Sequence, residues 1–272
     1  MKTAAPSPQW LERLLGGSKP ELGEALSLIE RGGDAARELL GKIDPHSGRA
    51  HVVGLTGPPG SGKSTLASAL ALHLVEEGRR VGVIAVDPSS PFTGGAVLGD
   101  RIRMSRASGH ERIFIRSTAT RGALGGLART TEELVRVLDA AGYDLILVET
   151  VGVGQSEVDI WRVAHTPIVI DVPGSGEAVQ GMKAGVFEIA AILCLNKSDL
   201  PGKEAKVSQL QEVARYARER MPGWSIPVVA TVASSGAGMA ELADCIRAHF
   251  RWLSTTGSKE QLPLPASIKA GT

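Results

Sequence analysis

The chain has little cysteine and little aromatic side chain: two cysteines, and 4% aromatic residues in a length of 272. Cys194 lies in an apolar run and Cys245 in a helical pattern, and neither belongs to a C-x-x-C pair. A zinc site therefore has no support, and both thiols read as buried and reduced. The shortage of aromatics argues against a base-stacking platform. Formal net charge is only +1, with no basic block dense enough for a nucleic-acid surface. No apolar stretch approaches the roughly 18 residues of a membrane span. Residues 1–17 hold no signal-peptide core. The expectation is a cytoplasmic protein with no nucleic-acid or membrane partner. The histidines are scattered, with no H-x-x-x-H, and read as surface or satisfied core imidazoles.

What the chain does contain is the run Gly57-Pro58-Pro59-Gly60-Ser61-Gly62-Lys63-Ser64-Thr65. It fits G-x-x-x-x-G-K-[ST], the phosphate-binding loop of nucleotide hydrolases. Glycines let backbone N–H groups turn inward around phosphate oxygens. In such a loop Lys63 reaches the β- and γ-phosphates and Ser64 ligates Mg2+. The flanks agree: His51–Leu55 reads as a short buried strand and Leu66–Val75 as a helix whose positive end faces the phosphates.

The remaining pattern predicts an α/β fold: a P-loop NTPase with a mostly parallel sheet flanked by helices, plus a small N-terminal helical segment. Residues 1–48 carry apolar residues at helical spacing, broken at Gly16-Gly17 and Gly32-Gly33. They predict two or three short helices capping the main domain. From residue 51, apolar β-rich runs recur at Val81–Val86, Arg112–Ile115, Asp144–Val148, Pro167–Val172, Ala191–Leu195 and Pro227–Thr231. Helical stretches separate them near 63–77, 127–141, 177–190, 203–220 and 238–253. Continuous apolar strands are buried on both faces, the mark of a parallel sheet between helix layers. The expected division is 1–48 helical extension, 49–253 P-loop domain and 254–272 loose tail.

Ligands gather at the carboxyl ends of parallel strands, and each further motif falls at such an end. Asp87 ends the second strand and Asp100 follows in a glycine-containing loop; both are candidate Mg2+ ligands, directly or through water. Asp87 also fits a strand-end cap, and Asp100 a helix N-cap. Glu149-Thr150-Val151-Gly152 follows the fourth strand, Asp144–Val148: Glu149 is placed to hold Mg2+ or its water, and the Gly152 N–H to sense the γ-phosphate. Where many small GTPases have a water-orienting glutamine after this glycine, this chain has Val153. Slow hydrolysis is expected.

Asn196-Lys197-Ser198-Asp199 forms N-K-x-D. The Asp199 carboxylate can accept from the guanine ring N–H and its exocyclic amine. Adenine lacks the amine and leaves an acceptor unpaired, at a cost of roughly 1–3 kcal/mol. Asn196 is expected to brace the phosphate loop, the Lys197 stem to lie along the base, and Ala233 and Ser234 to offer backbone N–H to the guanine carbonyl. The nucleotide read from these residues is GTP or GDP.

Longer motifs extend the pattern: Ala85–Ser90, Thr93-Gly94-Gly95 with Leu98-Gly99-Asp100-Arg101, Thr120-Arg121-Gly122 with Leu124–Leu127, and Glu149–Glu157. Over about residues 20 to 250 they resemble the family of the MeaB and MMAA GTPases, G-protein chaperones of adenosylcobalamin-dependent acyl-CoA mutases. The resemblance implies a SIMIBI-class G domain that gates cobalamin delivery to a mutase partner and helps eject damaged cofactor. It also implies a third switch over Pro173–Lys183, in which Lys183 is a catalytic candidate able to supply the charge that Val153 cannot. The chain departs from the family at Ala178, usually acidic there, and at His165-Thr166. It also has a short C-terminal arm, which puts a family-type homodimer in question. Other readings weighed are a nickel or zinc metallochaperone NTPase, which generally needs soft or histidine ligands, and a kinase, against which N-K-x-D argues.

Overall fold

The computed structural model describes residues 7–88, 104–120, 126–150, 163–175, 187, 190–217 and 223–256. Three helices open the chain, α1 (Pro8–Leu15), α2 (Lys19–Arg31) and α3 (Asp34–Ile43). The strands are β1 (His51–Thr56), β2 (Val81–Pro88), β3 (Ile113–Thr120), β4 (Leu145–Thr150), β5 (Thr166–Asp171), β6 (Ile192–Leu195) and β7 (Val228–Ala230). They form one parallel sheet in the order β3-β2-β4-β1-β5-β6-β7. Helices α4 (Lys63–Glu76), α5 (Gly126–Ala140), α6 (Lys203–Ala217) and α7 (Met239–Thr256) cover its faces. The mostly parallel α/β sheet read from the sequence is what the structure shows.

Alternate residues of each strand enter different cores, which is why the strands are continuously apolar. Ile84, Val86, Ile146 and Val148 join Leu22, Leu26, Leu39 and Leu138 on one face. Val83, Ala85, Leu145 and Leu147 join Leu66, Leu70, Leu242 and Ile246 on the other. Helices α1–α3 thus share a single apolar cluster with β2, β4 and α5. Buried Asp139 on α5 accepts backbone N–H bonds from Gly48, Arg49 and Ala50, anchoring the segment that leads into β1. Burial pushes this carboxyl above the usual range, against those N–H groups.

Several boundaries differ from the sequence reading. β3 runs on to Thr120, well past Ile115, because Ile84 through Pro88 pair with Arg116 through Thr120. It is the sheet edge, so it tolerates the polar residues that hid it; Arg116 reaches Glu30 and Ser27 of α2. Helix α7 runs to Thr256, not Leu253, and α6 is described over Lys203–Ala217, the remainder of the stretch expected to 220 lying outside the described residues. Of the helix expected at 177–190, all but Phe187 and Ala190 lie outside the described residues. Cys194 is buried and burial pushes its thiol up to about 12, whereas Cys245 is only half-buried.

The histidines converge more than their spacing suggests. At the amino ends of β1 and β5, Thr166 Oγ1 lies 2.7 Å from His51 Nε2 and 2.9 Å from His249 Nδ1. His165 Nδ1 accepts the Val52 N–H at 2.9 Å. Phe250 stacks on His51 with ring centroids 4.1 Å apart, and Trp252 on His249 at 5.5 Å. Burial lowers His249 from its ordinary 6.5 to about 4. The unfolded chain therefore takes up a proton below 6.5 that the folded chain refuses until about 4. Stability from this group is full above 6.5 and is lost as pH falls through that window, by about 3 kcal/mol at its lower end. Urea unfolding at pH 7 and pH 5 tests this: His249→Gln should have a shallower pH slope than the parent, and equal slopes would refute the assignment.

Candidate nucleotide site

The carboxyl ends of β1, β4, β5 and β6 open on one edge of the sheet, and the sequence motifs meet there. β1 ends at Thr56, the loop 57–62 follows, and α4 begins at Lys63. Gly62 has φ +87°, and a Cβ on it would lie 2.6 Å from Asn196 Nδ2. A Cβ on Gly57, where φ is +148°, would collide with the Ile170 carbonyl. Both positions need glycine because neighbouring strands crowd the loop from the side. Lys63 is buried, and its ammonium donates to the carbonyls of Gly57 at 2.7 Å and Pro58 at 3.1 Å. The cation is therefore held at the mouth of its own loop. Ser61 is buried within the loop, while Pro59, Gly60 and Thr65 are exposed.

Ser64 opens the first turn of α4 and donates its hydroxyl to Glu149 Oε1 at 2.6 Å. Both residues are buried. A hydroxyl and a carboxylate side by side beneath a phosphate loop form a hard-oxygen pair of the kind Mg2+ takes. The donor set fits the ion. Asp87 stands near the end of β2, whose preceding residue Val86 is in register with Thr150 of β4. The Asp87 side chain, Asp100, Gly152 and Lys183 lie outside the described residues.

Asn196 leaves β6 and joins three pieces of chain. Its Nδ2 donates to the Ser61 carbonyl at 2.8 Å. Its Oδ1 accepts from the Ala233 N–H at 3.1 Å and the Thr231 hydroxyl at 3.2 Å. Lys197 adopts a left-handed backbone, φ +54°, which aims its Nζ at the Gly60 carbonyl, 2.8 Å away. Asp199 is exposed, its carboxylate open to solvent. Ala233 N–H is already committed to Asn196. Of the two amides expected to face a guanine carbonyl, only that of Ser234 has no partner among the described residues. A cavity of about 630 Å³ beside Ala233 and Ser234 extends along α4, past Thr65 and Ser68. Its walls continue to His73 and Glu76, away from the phosphate loop, and none of residues 57–64 or 196–199 lines it. Sequence reasoning missed Thr231, which follows β7 directly; a threonine at the end of the expected strand Pro227–Thr231 was the signal available.

A phosphate loop between strand and helix, a hydroxyl–carboxylate pair below it and an N-K-x-D loop clamped to it define a P-loop GTPase. The comparisons narrow the class. The family model described as "Methylmalonyl Co-A mutase-associated GTPase MeaB" matches residues 22–263, and the chain belongs to that family. A putative GTPase of Pyrococcus abyssi is 49% identical over 249 residues, covering 91% of this chain and 77% of that protein. The mouse mitochondrial methylmalonic aciduria type A homolog is 35% identical over 262 residues, 90% of this chain and 63% of that one. Among solved structures, a "LAO/AO transport system kinase" aligns with TM-score 0.79 at 28% identity, covering 97% of this chain and 81% of the other. The protein is a GTPase of the MeaB family. Among the described residues, no helix is long and apolar enough to cross a membrane.

Proposed function

We propose that this GTPase is a cytoplasmic chaperone of an adenosylcobalamin-dependent acyl-CoA mutase, its nucleotide state gating cofactor loading and protection of the mutase. The observation that supports it most is the family match over residues 22–263, which takes in most of α2 and all of α3 as well as the nucleotide loops. The resemblance to the methylmalonic aciduria type A homolog points the same way.

The described geometry around residues 57–65, 149, 196–199 and 233–234 supports the roles there, and the sequence motifs support the rest. Backbone N–H groups of residues 60–65 wrap the phosphates, and Lys63 leaves its loop carbonyls for the β- and γ-oxygens. Asp199 recognises the guanine edge, the Ser234 N–H meets the guanine carbonyl, and Asn196 fixes the spacing between base and phosphate subsites. Ser64 and Glu149, with Asp87 and Asp100 as further candidates, would hold Mg2+, which neutralises charge on phosphate oxygens when bound. Gly152 senses the γ-phosphate. With valine at 153, this chain lacks the usual water-orienting amide, so basal turnover is slow and Lys183 supplies charge once a partner docks.

GTP hydrolysis should rise by roughly tenfold or more when a methylmalonyl-CoA mutase is added, in the manner of partner-supplied groups in other GTPases. Released phosphate measured with and without mutase checks this; equal rates would sink the chaperone reading. If labelled γ-phosphate ended on protein in place of water, the kinase reading would replace it.

A further inference from the structure

At the carboxyl end of β5 the fold holds a buried ion pair. Lys206 of α6 and Asp171 are 6% and 0% exposed, and Nζ lies 2.8 Å from Oδ2. Asp171 Oδ1 accepts the Val172 N–H at 2.8 Å and the Ser175 hydroxyl at 2.7 Å. Lys206 Nζ donates to the Ser175 carbonyl at 3.2 Å. Taking two charges out of water carries a desolvation penalty that apolar residues of the same volume would avoid. Stability alone is thus a poor reason for this pair. What it does is hold residues 172–175 in one place.

That place adjoins the nucleotide site. The Asp171 carbonyl accepts the Asn196 N–H at 2.8 Å. The preceding carbonyl, that of Ile170, is the one against which Gly57 is packed without room for a Cβ. Helix α6, which carries Lys206, begins shortly after the N-K-x-D segment. One ammonium therefore ties together the helix behind the base loop, the strand end beside the phosphate loop, and the chain leaving that strand. We propose that Lys206 is a positioning residue for GTP hydrolysis. It touches no nucleotide; it fixes the 172–175 segment to the strand end whose Ile170 carbonyl packs on the phosphate loop, so that the chain beyond starts from a defined point. The proposal rests on the family's GTPase activity.

The test uses the full chain with Lys206→Met, Lys206→Arg and Ser175→Ala, alongside the parent. It measures GTP turnover, affinity for a fluorescent GDP and thermal midpoint. Lys206→Met should lower kcat about tenfold or more, since small misplacements near reacting groups cost that much. KM and GDP affinity should stay within about twofold, the signature of an effect confined to the chemical step. Arginine, also a cation, should restore most of the rate. Ser175→Ala removes the hydroxyl shared between Asp171 Oδ1 and the Val172 carbonyl without stranding a charge and should lower kcat about threefold, in keeping with the net worth of one hydrogen bond. A folded Lys206→Met with parental kcat overturns the proposal, even with a lowered thermal midpoint. Should that variant not fold, parental kcat in Ser175→Ala does the same. A parent chain that hydrolyses no GTP would instead overturn the GTPase reading on which the proposal stands.

Discussion

Lys63→Ala should reduce GTP hydrolysis by about 100- to 1000-fold, the range seen when one preorganised charge-stabilising donor is removed. The side chain is buried at the head of α4 and its ammonium bridges two carbonyls of its own loop. Two consequences follow from its removal. The cation proposed to meet the β- and γ-oxygens is gone, and the Gly57 and Pro58 carbonyls lose a donor that holds the loop in shape. Triphosphate affinity should weaken more than that for guanosine, because Asn196 and Asp199 stand on a different strand end. Calorimetric titration with GTP, GDP and guanosine separates the effects. A variant retaining parental turnover would show that the phosphates lie elsewhere.

Asp199→Asn should weaken GTP binding by about a hundredfold, close to the 3 kcal/mol typical of truncating one partner of a buried charge-assisted pair. Asparagine presents an amide donor to the guanine amine, so a hydrogen bond is replaced by donor facing donor. Xanthine carries a carbonyl where guanine carries the amine and would accept from that same amide. The variant should therefore prefer xanthosine triphosphate, while the parent prefers GTP over both xanthosine and adenosine forms. The Asn196 clamp should survive, since its bonds to Ser61, Thr231 and Ala233 do not involve residue 199. Competition against a fluorescent guanine nucleotide reads this out; unchanged selectivity would remove Asp199 from the base pocket.

The sequence disclosed the nucleotide loops because each lies within one short stretch whose spacing reflects backbone chemistry. The inner strands were equally readable, being apolar on both faces. The edge strand β3 was cut short because Arg116, Ser117 and Thr118 do not resemble a buried run, although they continue the ladder with β2. The last turn of α7 was hidden by Ser254, Thr255 and Thr256. Their hydroxyls bond back to the Phe250 and Trp252 carbonyls, satisfying groups that a helix end would otherwise leave open. Long-range pairings were out of reach altogether. Nothing in spacing joins Asp171 to Lys206, or His51 to His249 through Thr166, because these meetings are set by strand order.

The shared apolar cluster under α1–α3 bears on any attempt to shorten this protein. Leu22, Leu26 and Leu39 cover the same sheet face as Val86 and Val148, the residues just ahead of Asp87 and Glu149. A fragment starting at β1 would keep every nucleotide motif yet present an oily, uncovered wall directly behind its acidic residues. The smallest portable version of this GTPase therefore includes its leading helices.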